Sequence, residues 1–196
     1  MEEKKSFTEK ELMALIQNGS HEEFMNFLQM HKGMPFTQAA SQLFIERGNS
    51  EEILAYIEHV HLPERGEIAL LKRGERKEIM AYIEKYKFLP EAEANLIRRG
   101  VHEEIMLHLQ RYKLFEKAIP ELIHRNNLKE FCYAAAKQDF GYAGELELLR
   151  FGVKRQILAY IIHRRFCYNV VERLLLARNE PEEVALYTSL YQVHKY

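Results

Sequence analysis

Nine histidines, eleven tyrosines and two cysteines carry most of the side-chain chemistry this sequence could offer. The histidines do not converge. His59 and His61 flank Val60, while His21, His31, His102, His108, His124, His163 and His194 are scattered. None forms HExxH, and no cysteine pair or carboxylate cluster stands beside them at ligand spacing. The expectation is helix-end and surface roles and no metal. Cys132 and Cys167 form no CxxC pair, which excludes a disulfide framework and a Cys-built zinc site. Both fall in helix-like segments, where a free cysteine acts as a small apolar residue. There is no GxSxG, no phosphate-cradling glycine loop and no Cys/His pairing of recognised spacing. The sequence therefore predicts a protein that is not an enzyme and holds no cofactor.

Cations and aromatic residues, by contrast, fall into columns. Arg47, Arg73, Arg99, Arg125 and Arg178 recur at one position, a candidate ladder for an anionic partner. Lys32, His61, Lys87, Lys113 and Arg165 recur at another. An aromatic column reads Phe27, Tyr56, Tyr82, His108, Ala134, Tyr160 and Tyr187. Its rings could line a groove, or could complete an apolar stripe in the core. The middle of the chain is densest in such groups. Tyr82, Tyr86, Lys87, Arg111, Tyr112 and Lys113 are accordingly the candidate partner-binding patch, since aromatic and Arg groups anchor interfaces.

The columns exist because the chain repeats. Leu70-Leu-Lys-Arg-Gly-Glu-Arg-Lys-Glu-Ile-Met-Ala-Tyr82 returns as Leu96-Ile-Arg-Arg-Gly-Val-His-Glu-Glu-Ile-Met-Leu-His108 and as Leu148-Leu-Arg-Phe-Gly-Val-Lys-Arg-Gln-Ile-Leu-Ala-Tyr160. The anchors Gly19, Gly48, Gly74, Gly100, Asn126, Gly152 and Asn179 lie 29, 26, 26, 26, 26 and 27 residues apart. Gly and Asn favour the left-handed backbone that stops a helix. Cations precede most of the stops (Arg47, Arg73, Arg99, Arg125 and Arg178), and Glu pairs follow several (Glu51 and Glu52, Glu103 and Glu104, Glu182 and Glu183), as the helix dipole selects. The two positions after each anchor vary most, as in Ser20-His21 and Asn49-Ser50. A helix of about ten residues should follow each anchor, with Ile79, Tyr82 and Ile83 on one face. Met34-Pro35, Leu62-Pro63 and Leu89-Pro90 mark the start of a second helix. Pro120 lies deeper, so its helix should start late or bend.

The pattern resembles the HEAT and armadillo class of α-solenoids, with a shorter unit than either. That resemblance implies a binding surface. The expected fold is all-α: a right-handed α-solenoid of about seven stacked two-helix repeats of about 26 residues in one domain, 1–196. A lone N-terminal helix (8–18) opens with Thr8-Glu-Lys-Glu11 at capping-box spacing. Helix pairs fill 19–178, and a lone helix occupies 179–196, roughly 181–193. The 47% apolar content suffices for a core, and the net charge of −1 argues against a polycation that coats nucleic acid. No apolar run approaches 18 residues and Met1–Ser6 has no signal-like segment, so a cytoplasmic protein away from membranes is expected. The first functional reading is a non-enzymatic scaffold that binds a protein or peptide. The alternative is a nucleic-acid-binding solenoid using the Arg/Lys ladders, and the third an enzyme with a site in the groove.

Overall fold

The computed structural model describes residues 8–178 and 180–191. Fourteen α-helices and no strand occur among them. In chain order these are α1 (Glu9–Asn18), α2 (His21–Met30), α3 (Gln38–Arg47), α4 (Ser50–Ile57), α5 (Glu64–Arg73), α6 (Arg76–Lys85), α7 (Pro90–Arg99), α8 (His102–Arg111), α9 (Ile119–Arg125), α10 (Leu128–Lys137), α11 (Gly141–Phe151), α12 (Lys154–His163), α13 (Asn169–Ala177) and α14 (Pro181–Leu190). None of the described helices is long and apolar enough to cross a membrane.

The chain forms two compact units, 1–92 and 93–196. In the first, α3 packs against α1 and α5, and α4 against α2 and α6. In the second, α10 packs on α8 and α12, α12 on α14, and α11 on α9 and α13. In each unit these helices lie against the one two places along, odd-numbered on odd-numbered and even-numbered on even-numbered. Helices α4, α6, α8, α10 and α12 turn inward the positions four, five, eight and nine after the anchor that precedes them. Examples are Glu78, Ile79, Tyr82 and Ile83 in α6, and Gln156, Ile157, Tyr160 and Ile161 in α12. A fully buried isoleucine contributes about 1.5–3 kcal/mol, so this stripe carries much of the packing energy.

Local chemistry sets the helix ends. Thr8, Ser20 and Asn49 close capping boxes with Glu11, Glu23 and Glu52. Pro90 opens α7 and Pro63 caps α5, whereas Pro35 stands ahead of Thr37, which caps α3. A 3-10 turn (Glu116–Ala118) precedes the shortened α9, whose second residue is Pro120. This is the late start that the proline requires.

The anchors divide into two kinds. Gly74 (φ 80°), Gly100 (φ 83°) and Asn126 (φ 57°) hold the left-handed conformation. Gly19, Gly48 and Gly152 do not: their φ values are −68°, −58° and −65°. There the expectation of a left-handed stop is corrected, and glycine answers to a close approach instead. A Cβ on Gly19 would stand 2.6 Å from the Leu15 carbonyl oxygen, and one on Gly48 2.8 Å from that of Phe44. These are the same oxygens that accept the glycines' own N–H groups. The anchor Asn179, His194 and residues 192–196 lie outside the described residues.

Candidate functional site

The arginine ladder faces inward at one end. In four repeats the arginine before the anchor crosses the turn to the glutamate four residues after it. Arg73 Nε lies 3.1 Å from Glu78, Arg99 Nε 3.2 Å from Glu104, Arg125 Nε 2.7 Å from Glu130 and Arg178 Nε 3.1 Å from Glu183. All four glutamate side chains are fully buried, and the arginines are about a quarter exposed. The same guanidinium reaches back one repeat: Arg73 donates to the Ile45 carbonyl and Arg178 to that of Leu149. Buried carboxylates need such partners, because removing one costs several kcal/mol.

The turn at Gly152 shows how strictly this arrangement is kept. Phe151 replaces the arginine there, and Gln156 replaces the glutamate. Gln156 Nε2 donates to the Ile123 carbonyl at 3.0 Å, and its Oε1 accepts from Val153 N at 3.0 Å. One neutral amide thus donates to a preceding-repeat carbonyl, as the arginine does elsewhere, without burying a charge.

A second buried pair joins an odd-numbered helix to the even-numbered one that follows it. Tyr82 donates to Glu67 (2.7 Å) and Tyr160 to Glu145 (3.0 Å), while His108 Nε2 lies 2.7 Å from Glu93. The second carboxylate oxygen of Glu67 and of Glu93 accepts a backbone N–H, from Leu89 and Phe115. Where the aromatic position is Ala134, the carboxylate position is Ile119, so both polar groups vanish together. The tyrosine oxygens also accept backbone N–H groups: Phe36 N on Tyr56, Leu62 N on Tyr82 and Phe140 N on Tyr160. Gln138 Oε1 takes the corresponding Leu114 N–H at 2.6 Å. Burial pushes the phenols of Tyr56, Tyr82 and Tyr160 far above their ordinary value, and the adjacent carboxylates add to this at Tyr82 and Tyr160. Burial also raises the Glu145 carboxyl, against the hydrogen bonds from Cys167 and Tyr160 that lower it.

Cations near the ends of the even-numbered helices cap the preceding repeat. Lys85 donates to the Glu58 carbonyl, Lys137 to those of Leu109 and Gln110, and Arg164 to those of Ala135 and Ala136. The variable turn position two past the anchor also joins repeats. Ser50 donates to Glu78 at 2.6 Å, and His102 Nδ1 lies 2.7 Å from Glu130 Oε1.

The candidate patch therefore has mixed placement. Tyr82 is fully buried and offers no surface. Tyr86 and Lys87 are half-buried in the first unit, with the Tyr86 ring 5.3 Å from His61. In the second unit Arg111 and Lys113 are exposed and Tyr112 is half-buried, its ring 5.2 Å from His108. His108 itself is fully buried, at the core position its column allowed. Cys167 is exposed in the loop before α13 rather than helical. Desolvation, then Glu145 beside it, pushes its thiol up to about 11, the reverse of an activated nucleophile. No group of three or more His, Cys, Asp or Glu among the described residues could hold a metal ion.

Exposed apolar side chains were not singled out by the spacing of functional groups. Among the described residues ten large ones are exposed, and nine of them lie in the second unit, with Met30 the exception. Phe151 (61%), Ile162 (59%) and Val170 (55%) lead this group. Tyr142 and Tyr168 meet edge to face at 5.2 Å. Comparison with protein-family models, with curated protein sequences and with solved structures finds no match to the chain.

Proposed function

We propose that the chain is a right-handed α-solenoid of the HEAT and armadillo kind that acts as a non-enzymatic scaffold for a protein partner. The supporting observation is the concentration of exposed apolar side chains in the second unit. Large apolar side chains left in water mark an interaction surface more often than isolated ones do. Tyr142, Tyr168, Val170 and Leu174 are exposed along the start of α11 and through α13. The nucleic-acid reading ranks below this one, because the arginines of the ladder are engaged with buried glutamates and backbone carbonyls rather than open to phosphate.

The test is capture of partners from the native host by cross-linking and mass spectrometry, with Tyr168→Asp and Leu174→Asp run beside the unaltered chain. The expected result is a protein partner that both variants lose while their melting temperatures hold. A partner retained by both, or salt-sensitive RNA or DNA recovered in its place, would overturn the reading.

A further inference from the structure

One turn departs from the arrangement of its neighbours. At Gly48 the arginine and the glutamate of the clasp are both present, as Arg47 and Glu52, but no hydrogen bond or ion pair joins them. Arg47 donates only to the Gly19 carbonyl, at 3.3 Å. Glu52, with its side chain 11% exposed, is held by His21 Nδ1 at 2.8 Å and by the Asn49 backbone N–H at 3.1 Å. A cavity of about 150 Å³ is lined by both members of the open pair. Its wall includes Phe24 and Phe44, whose rings stack at 4.9 Å.

We propose that this cavity binds a small zwitterion, an α-amino acid, with its carboxylate on Arg47 and its ammonium on Glu52. The chemistry follows from what the two side chains still offer. A guanidinium has five donors in a fork that matches a carboxylate, and Arg47 uses one of them. A carboxylate has about four acceptor sites, and Glu52 uses two on protein groups. The ligand must therefore carry an anion and a cation a few bonds apart, as the α-carbon of an amino acid does. A cavity of this size takes roughly six to eight non-hydrogen atoms, by analogy with one that accepts benzene. The Phe24 and Phe44 rings suit a small apolar side chain on the ligand. Arg73, Arg99, Arg125 and Arg178 serve as internal controls, since in each of those turns the guanidinium itself sits on the carboxylate. The site is independent of the protein-binding surface proposed above.

The experiment is a thermal-shift and amide-NMR titration of the full chain with glycine, L-alanine, L-serine, acetate and methylamine, each up to about 10 mM. At least one amino acid should raise the melting temperature with concentration. It should also move amide signals around residues 19–21 and 47–52. Acetate and methylamine should each bind at least about tenfold more weakly, and Arg47→Met should weaken the amino acid by a similar factor. Should Arg47→Met melt early, Arg47→Lys, which keeps the cation and loses the fork, must still bind more weakly than the unaltered chain. No binding by any of the three amino acids overturns the proposal. So does acetate binding equally well, which would leave a plain anion site, or Arg47→Met binding unchanged.

Discussion

Single residues in this chain answer to different physical demands at equivalent positions. Gly74 and Gly48 are both anchors, yet Gly74 has φ 80° and Gly48 φ −58°. Alanine at Gly74 would carry left-handed strain and should cost about 1 kcal/mol. Alanine at Gly48 would instead press its Cβ on the Phe44 carbonyl, 2.8 Å away, and break the helix-ending bond that carbonyl accepts. Urea melts of both variants should show losses; unchanged stability in Gly74→Ala would remove the helix-stop role from the left-handed anchors. Glu145 makes a different test. Burial raises its folded-state value, so the folded chain holds this proton to higher pH than the unfolded one does. Its contribution to stability is then fully present below the unfolded value, about 4.3, and is lost as pH rises through the raised folded value. Glu145→Gln keeps an oxygen that can accept from both Tyr160 and Cys167 N while removing the charge. Melting temperatures taken from pH 4 to 7 should therefore show the variant gaining on the unaltered chain as pH rises. A difference that stays constant across that range would contradict it.

At the scale of the helix pair, the repeat, the helix ends and the apolar stripe were legible because each rests on local rules: anchors, prolines, capping boxes and a period of 3.6. The roles of the charged columns were not. Arginine before a helix stop and glutamate after a helix start are each what the helix dipole favours, so the dipole hid their pairing. The signal that reveals it was present as coupled exchange within the chain: Phe151 goes with Gln156, and Ile119 with Ala134. Tyr82 was ambiguous for a related reason. A ring eight residues past the anchor fits the core stripe but could also line a groove, and Glu67, buried fifteen residues earlier, decides it. The coupled exchange gives a direct test. Gln156→Glu alone buries a carboxylate with no arginine and should cost about 3 kcal/mol or more. Adding Phe151→Arg should recover much of that loss, because the pair then matches Arg125 and Glu130. A double-mutant cycle by urea unfolding should give a coupling above about 1 kcal/mol, and additive effects would show that the turn does not form the clasp.

Across the whole molecule, the polar interior is a device repeated in both units. Buried carboxylates and phenols recur along both units, joined to one another and to partly exposed guanidinium groups. Such a core holds register between helices that would otherwise slide on an apolar interface, but it makes stability depend on keeping many protons in place. The phenols give the sharpest consequence. Tyr56, Tyr82 and Tyr160 are buried, and their folded-state values are raised well above the ordinary value of about 10. Their contribution to stability is complete below pH 10 or so and is lost as pH rises beyond it, because the unfolded chain releases these protons first. Tyr133, Tyr142 and Tyr168, by contrast, are exposed. An alkaline titration followed at 295 nm should thus resolve into an early, reversible phase from exposed rings and a later, steep phase. The later phase should coincide with loss of helical circular dichroism. Tyr82→Phe removes one buried phenol and the hydrogen bond it donates to Glu67. It should shrink the steep phase while moving it to lower pH. Ionisation of all eleven tyrosines in one smooth curve near pH 10, with the helices intact, would mean that the buried hydroxyls are open to water.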